Sequence, residues 1–171
     1  MKSSMSYQAH KSRIPSPVQC ALLTVSDTRT KEEDESGKLI MRLLKASSHS
    51  VTFYEVVKDD PDEIRKRLEI QARNPLTQAI MINGGTGISN RDVTYEAVNT
   101  LLEKKLDGFG ELFRSISYQE IGSPAMLSRA VAGIYQGKIL FSIPGSVHAV
   151  QLAMEKLILP ELGHIVALLK R

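Results

Sequence analysis

Short apolar runs alternate with amphipathic segments along most of the chain. Residues 18–25 and 79–82 are almost wholly apolar, which is typical of strands covered by helices on both faces of a sheet. Residues 51–57 are rich in β-branched and aromatic side chains, which also predicts a strand. Apolar residues recur at helical spacing in the segments between these strands. The pattern therefore predicts an α/β fold.

Polar residues at helix ends set the limits of the predicted helices. We expect Ser36 to cap the first helix, and Asp60 with Pro61 to begin the second. Further helices are predicted over residues 93–104, 111–118 and 124–129, then after Ser146 and from near Pro160. Met126 and Met154 are expected to lie in the core.

The segment around Gln136-Gly137 predicts an antiparallel hairpin, because two apolar runs, 131–135 and 138–143, flank this turn. Elsewhere strands alternate with helices, as in sheets built from parallel strands. We therefore expect an α/β fold with a mainly parallel sheet and one antiparallel hairpin.

Length and composition narrow the class of protein. The 171 residues favour one domain, which we place at residues 18–171 after a flexible polar tail at residues 1–17. The tail lacks the apolar middle of a signal peptide, and no run is long enough to span a membrane, so no membrane partner is expected and the cytoplasm is the expected compartment. A net charge of +3 without clustered Lys and Arg suits an anionic small ligand and not a nucleic acid. A single cysteine, Cys20, and scattered histidines argue against a tightly bound structural metal.

Small, hydroxyl and acidic residues follow four of the predicted strands. Because ligands of open α/β sheets bind at the carboxyl ends of strands, these segments are expected to meet around one phosphate ligand. They are residues 26–28, residues 58–60, residues 84–87 with 89–94, and residues 144–146.

Several of these residues have a structural interpretation as well as a functional one. Asp60 is best explained as a helix cap, which leaves Asp59 as the functional carboxylate of its pair. Asp92 either caps the helix near Val93 or serves the site, and the two roles are compatible. Arg91 either lies on the surface or grips a phosphate. Ser146 is a helix cap under either interpretation.

Asp59 and Asp92 could together hold a Mg²⁺ ion that bridges phosphates. The chain offers no Ser-His-Asp or Cys-His set with supporting context. Phosphoryl and nucleotidyl transfer require charge neutralisation and alignment more than a protein nucleophile. The residues therefore predict phosphate chemistry without a covalent enzyme intermediate.

At these loops the sequence resembles the MoaB/MogA family of molybdenum cofactor biosynthesis proteins, related to the G domain of gephyrin, from about Gln19 to the C-terminus. Residues 108–114 and 120–123 resemble the MoaB branch. The matching motifs include Gly-Gly-Thr-Gly at 84–87 and Ser-Asn-Arg-Asp-Val-Thr at 89–94, and the others lie at residues 23–27, 108–114, 127–130 and 143–146.

The resemblance implies a three-layer α/β/α, MogA-like fold assembled as a trimer or as two stacked trimers. It also implies that the chain binds molybdopterin and uses ATP with Mg²⁺ to adenylylate the terminal phosphate before metal insertion. Other enzymes of the same pathway are candidate protein partners. The implied catalytic and magnesium-binding residues are Asp59 and Asp92; the implied ligand-binding residues are Ser26, Asp27, Gly84, Gly85, Thr86, Gly87, Ser89, Arg91, Thr94, Glu96, Ser128, Arg129, Pro144, Gly145 and Ser146.

Two positions depart from the family pattern. Lys58 stands where the family often has Pro, so the Asp59 match could shift to Asp60, and Tyr95 also replaces a frequent Pro. The Arg-Asp pair at 91–92 is retained, which favours catalysis. Two other functions stay open: a carrier that binds molybdopterin without turnover, and a nucleotide-binding regulator that binds no pterin.

Overall fold

A computed structural model describes residues 17–170, and of the predicted tail only Pro17 falls within this range. Six strands form one mixed sheet in the order β2-β1-β3-β6-β5-β4. All neighbouring strands are parallel except the pairs that include β5, which is antiparallel to both β6 and β4. The strands are β1 (Gln19–Val25), β2 (Ser50–Val57), β3 (Ala79–Asn83), β4 (Lys104–Lys105), β5 (Val131–Tyr135) and β6 (Lys138–Ile143).

Helices cover both faces of the sheet and give the three layers that were expected. One buried cluster packs α1, α4, α5 and α6 on one face, and a second packs α2 and α3 on the other. No helix within residues 17–170 has the length and apolar character needed to cross a membrane. The helices are α1 (Glu35–Ala46), α2 (Pro61–Arg73), α3 (Thr94–Asn99), α4 (Asp107–Ile121), a 3-10 turn (Ser123–Leu127), α5 (Val147–Ala153), a π-helical turn (Met154–Ile158) and α6 (Leu159–Leu169).

The prediction of a mainly parallel sheet with one hairpin is confirmed. Gln136 and Gly137 both have positive φ, 47° and 73°, as a two-residue hairpin turn between twisted strands requires. The chain passes from β1 outward to β2 and then returns to place β3 on the other side of β1. This reversal creates a crevice at the carboxyl ends of β1 and β3, where ligands of such sheets bind.

The helix predicted over residues 93–104 is wrong in its second half. It ends at Asn99, and Lys104 and Lys105 form an edge strand that pairs with Ile134 and Gly133 of β5. A Cβ on Gly133 would lie 2.3 Å from the carbonyl oxygen of Lys104, so the absence of a side chain there allows this close pairing. Tertiary pairing thus overrides the local helical pattern.

One predicted helix cap and one predicted core residue also differ from the structure. Asp34, not Ser36, caps α1, and its side chain accepts a hydrogen bond from the amide of Gly37. Met126 is 77% exposed, although Met154 is buried as expected. The helix predicted over residues 111–118 begins earlier, at Asp107, so α4 includes Gly108 and Gly110, which precede the predicted start.

A buried polar network joins the carboxyl ends of β1 and β3 to α1. Thr24 donates to Asn83 Oδ1 at 2.9 Å, and Asn83 Nδ2 donates to Ser36 Oγ at 2.9 Å. Ser36 and the Tyr54 hydroxyl each donate to Asp34, at 2.8 and 2.7 Å. Burial raises the pKa of Asp34, but the hydrogen bonds that it accepts outweigh this effect and hold the pKa below its usual range. The network therefore fixes both strand ends that border the crevice.

We expect Asp34→Ala to lower the free energy of unfolding by about 2–4 kcal/mol, since it removes a helix cap and leaves buried hydroxyls without an acceptor. Asp60→Ala is the matched control, because Asp60 caps α2 at an exposed position by accepting from the Asp62 and Glu63 amides. It should cost about 1 kcal/mol. Denaturant unfolding of both variants measures the difference, and equal losses would contradict a role for the network.

Candidate functional site

A cleft with a volume of about 330 Å³ opens at the carboxyl ends of β1, β3 and β6. Most of the residues that line it belong to the segments that the sequence predicts as phosphate-binding. The lining consists of Val25, Arg29, Gly84, Gly85, Thr86, Gly87, Asp92, Leu127, Ser128, Pro144 and Gly145.

The glycine loop, residues 84–87, forms the floor of this cleft. Gly84 and Gly85 have φ of 98° and 60°, in the region that favours glycine. A Cβ on Gly84 would lie 2.2 Å from the carbonyl oxygen of Val25. Among residues 17–170, no acceptor pairs with the backbone amides of Gly85 and Thr86. The loop can therefore direct two amide donors at an anion.

Asp59 lies directly behind the glycine loop. Its carboxylate accepts hydrogen bonds from the Val93 amide at 3.2 Å and the Thr94 hydroxyl at 3.3 Å, while Thr94 in turn donates its amide to the Gly85 carbonyl. Burial raises the pKa of Asp59, and the negative charges of Asp92 and Asp27 add to this effect. Asp59 thus has a structural role that the sequence analysis does not foresee.

Asp92 borders the same loop at Gly87. Its carboxylate accepts from the Ser89 hydroxyl at 2.6 Å and the Ser89 amide at 3.0 Å. The hydrogen bond from the Ser89 side chain is the main reason why the pKa of Asp92 lies below its usual range. The idea that Asp92 caps the following helix is wrong, because Val93 is the cap residue of α3 and makes no side-chain cap bond. Asp92 instead closes the turn that precedes it.

Arg129 fastens the glycine loop to α3. Its guanidinium donates to the carbonyl oxygens of Thr86, at 3.0 Å, and of Gly87, and it pairs with the carboxylate of Glu96. It also lies 5.0 Å from the centre of the Tyr95 ring. Arg129 and Glu96 therefore shape the site from within, and direct contact of either with a ligand stays a prediction.

The other residues predicted to bind a ligand lie around the cleft, but not all of them face it. Ser26 Oγ accepts from the amides of Thr28 and Arg29, at 3.3 and 3.1 Å, and thereby folds the loop after β1. Asp27 accepts from the Asp59 amide at 3.1 Å. Ser146 caps α5 as predicted, since its hydroxyl accepts from the Ala149 amide at 3.2 Å. The Asp27 contact joins the exits of β1 and β2, whereas the contacts of Ser26 and Ser146 stay within their own segments.

Arg91 is exposed, and Thr94 is buried beneath the loop. Whether Arg91 and Thr94 bind ligand stays a prediction. Within the described range, no group of three His, Cys, Asp or Glu residues is placed to hold a metal ion. A Mg²⁺ ion at Asp59 and Asp92 would therefore need phosphate oxygens and water as its other ligands, which is the coordination that Mg²⁺ favours.

Arg29 lines the cleft but is not among the site residues predicted from the sequence. Its Nη1 atom donates to the Gly145 carbonyl at 3.2 Å and lies 3.4 Å from Ser36 Oγ. Arg29 is the basic residue of the polar segment between β1 and residue 30, and that position is the signal that could have identified it.

Comparisons with known proteins agree with this geometry. Residues 21–164 match the model of the family described as a probable molybdopterin binding domain. Molybdenum cofactor biosynthesis protein B of Bacillus cereus is 54% identical over 162 residues, covering 94% of this chain and 96% of that protein. The Bacillus subtilis protein of the same name is 51% identical over 163 residues, covering 95% and 96%.

Solved structures give the same result. A crystal structure of molybdenum cofactor biosynthesis protein B is 55% identical, with a TM-score of 0.90 over 92% of this chain and 98% of that one. The tungsten cofactor synthesizing protein MoaB from Pyrococcus furiosus is 37% identical, with a TM-score of 0.83 over 92% and 99%. A structure of MogA, at 23% identity and a TM-score of 0.80 over 88% and 99%, shares the fold.

We expect Asp59→Asn to raise the melting temperature at pH 7. A raised pKa means that the charged carboxylate destabilises the fold. This loss of stability is absent below the ordinary aspartate pKa of about 3.9 and complete above the raised pKa. Asp92→Asn should lower the melting temperature at pH 7, because a lowered pKa contributes stability that is lost as the pH falls through it.

Thermal unfolding between pH 3 and pH 8 compares both variants with the wild type, and both differences should shrink towards acidic pH. Shifts of the same sign in the two variants would contradict this account of the carboxylates.

Proposed function

Because the chain belongs to the molybdopterin-binding family of molybdenum cofactor biosynthesis proteins, we propose that it binds molybdopterin and transfers AMP from ATP to the terminal phosphate of that pterin. The observation that supports this most directly is the cleft at the glycine loop, where two floor amides have no acceptor among residues 17–170 and two aspartates lie beside them. Such a cleft can hold phosphate oxygens next to carboxylates, as nucleotidyl transfer with a divalent cation requires.

In the proposed reaction, a phosphate oxygen of molybdopterin attacks the α-phosphorus of ATP. The bond between that phosphorus and the bridging oxygen breaks, and pyrophosphate leaves with the electron pair. The amides of Gly85 and Thr86 hold phosphate oxygens and orient the reacting groups. No side chain of the protein forms a covalent bond with the substrate.

The two aspartates share one task in this proposal, which is to hold a divalent cation. Asp59 is held by the amide of Val93 and the hydroxyl of Thr94, and Asp92 by Ser89, so both carboxylates have fixed positions at the loop. A Mg²⁺ ion bound to them would neutralise phosphate charge and align the triphosphate. Burial is the main cause of the raised pKa of Asp59, and the charges of Asp92 and Asp27 add to it; a bound cation would relieve that repulsion.

We expect Asp59→Asn and Asp92→Asn each to slow AMP transfer by about 100- to 1,000-fold, since each removes a charge that the reaction needs. Molybdopterin binding without ATP should change by less than about threefold, because neither aspartate contacts the pterin phosphate directly. The measurement is the yield of adenylylated molybdopterin and pyrophosphate from purified protein, molybdopterin, ATP and Mg²⁺, identified by mass.

Asp62→Asn is the matched control, because Asp62 is a carboxylate with 92% side-chain exposure on α2. It should leave the rate unchanged. Undiminished AMP transfer by the Asp59→Asn, Asp92→Asn double variant would refute these roles. If the wild type binds molybdopterin but forms no adenylylated product, the protein is a carrier. If it binds ATP but not molybdopterin, it is a nucleotide-dependent regulator.

We also propose that the chain assembles into trimers, alone or stacked in pairs. Several large apolar side chains in the segment from residue 112 to residue 127 remain in contact with solvent in a single chain. Burial of such side chains is the main source of stability in permanent assemblies. They are Leu112 (56% exposed), Tyr118 (64%), Ile121 (48%), Met126 (77%) and Leu127 (49%).

We expect a Tyr118→Lys, Met126→Lys double variant to elute as a single subunit in size-exclusion chromatography with light scattering, whereas the wild type gives three or six subunits. Burying two charges in an apolar interface costs more free energy than the apolar contact contributes. Ile70→Lys is the matched control, since Ile70 is 47% exposed on α2, outside that segment. An unchanged mass for the double variant would exclude this surface as the contact.

A further inference from the structure

Arg29 lines the cleft and Arg129 contacts its glycine loop, but only one of the two charges is paired within the protein. Arg129 pairs with the carboxylate of Glu96 and donates to the carbonyl oxygens of Thr86 and Gly87, so its charge is neutralised within the protein. Among the described residues, the Arg29 guanidinium donates to two neutral oxygens only, those of Gly145 and Ser36. Within residues 17–170, no carboxylate lies within ion-pair distance of its guanidinium. Arg29 therefore supplies uncompensated positive charge to the cleft.

The position of Arg29 is fixed despite its exposure. The loop that bears it is folded by Ser26, whose hydroxyl accepts the Arg29 amide at 3.1 Å. The guanidinium is then tethered to the Gly145 carbonyl, at the exit of β6. Arg29 thus reaches from the end of β1 across to the end of β6 and borders the glycine loop between them. A guanidinium held in this way presents its remaining N–H groups to an anion in a defined geometry.

Charge divides the cleft into two sides. Arg29 lies on the side of α1, as its contact with Ser36 indicates. Asp59 and Asp92 lie on the side of α3, where Asp59 contacts Val93 and Asp92 belongs to the segment that leads into that helix. A phosphate that approaches without a cation is repelled by the carboxylates and attracted by the guanidinium. A phosphate chain that arrives with a divalent cation can occupy the carboxylate side.

We propose that Arg29 binds the phosphate monoester of the pterin ligand and so gives the cleft its preference for phosphorylated over unphosphorylated pterin. The carboxylate side is left for the nucleotide. The proposal rests on the pterin binding proposed above, but it does not require that AMP transfer occurs. Arg29 contacts the ligand directly in this assignment, whereas Arg129 acts by holding the glycine loop.

The test compares the affinity of the protein for molybdopterin and for molybdopterin treated with phosphatase, both measured by fluorescence titration without ATP. In Arg29→Gln, the ratio of the two affinities should fall by about 10-fold or more, because a charge-assisted hydrogen bond to the phosphate is lost. The dephosphorylated ligand should bind the variant and the wild type equally. Arg29→Lys keeps the charge without the fork of donors and should retain part of the preference.

Arg73→Ala is the matched control, since Arg73 is 72% exposed at the end of α2, at the opposite edge of the sheet, and pairs with Glu69. It should leave both affinities unchanged. A ratio that stays the same in Arg29→Gln would overturn the proposal, and so would an equal loss of affinity for both ligands, which would mean that Arg29 only shapes the loop. Failure of the wild type to transfer AMP to molybdopterin would refute the adenylylation and leave this comparison valid.

A salt titration adds an independent measurement. The affinity of the wild type for molybdopterin should fall as ionic strength rises, because an exposed guanidinium attracts the phosphate through solvent. The dependence on salt should be weaker in Arg29→Gln. An identical dependence in both proteins would contradict a direct ionic contact.

Discussion

Three strand exits meet within a space that leaves no room for side chains, and this close approach determines the form of the cleft. A Cβ on Gly84 would lie 2.2 Å from the Val25 carbonyl oxygen, and a Cβ on Gly145 would lie 2.9 Å from the Gly84 Cα. Backbone therefore packs on backbone where β1, β3 and β6 end. The glycine loop is turned outward by this crowding, and its amides become available to a ligand.

The close approach is supported from two sides by polar contacts. On the side of α1, the network of Thr24, Asn83, Ser36 and Asp34 is fully buried, which makes each of its hydrogen bonds costly to lose. On the side of α3, Asp59 bonds to the amide of Val93 and thereby ties the exit of β2 to the loop after β3. A carboxylate assigned to catalysis thus also contributes to the architecture, and its raised pKa shows that this position has an electrostatic cost.

Within the described residues, the sequence was sufficient to predict every strand except β4, together with the hairpin and most of the residues that line the cleft. Strand positions follow from continuous apolar runs, and the glycine loop follows directly from one of them. The cap of α1 was harder, because Asp34 and Ser36 both suit such a position, and the hydrogen bond from the Gly37 amide to Asp34 decides between them. The end of the helix after Val93 depends on pairing between residues 104 and 133, which no local pattern records. Arg29 and the second role of Asp59 depend on contacts between distant segments, which sequence spacing does not reveal.

The hairpin of β5 and β6 has a practical consequence. Its strands are antiparallel, so Ser128, which precedes β5, and Gly145, which follows β6, both reach the cleft, while the turn at Gln136-Gly137 points to the other edge of the sheet. Gln136, in this turn, is exposed. A fluorescent label or a short peptide tag attached at this turn would be remote from every ligand-facing loop. Labelling at this turn would therefore allow ligand binding to be followed without disturbing the cleft.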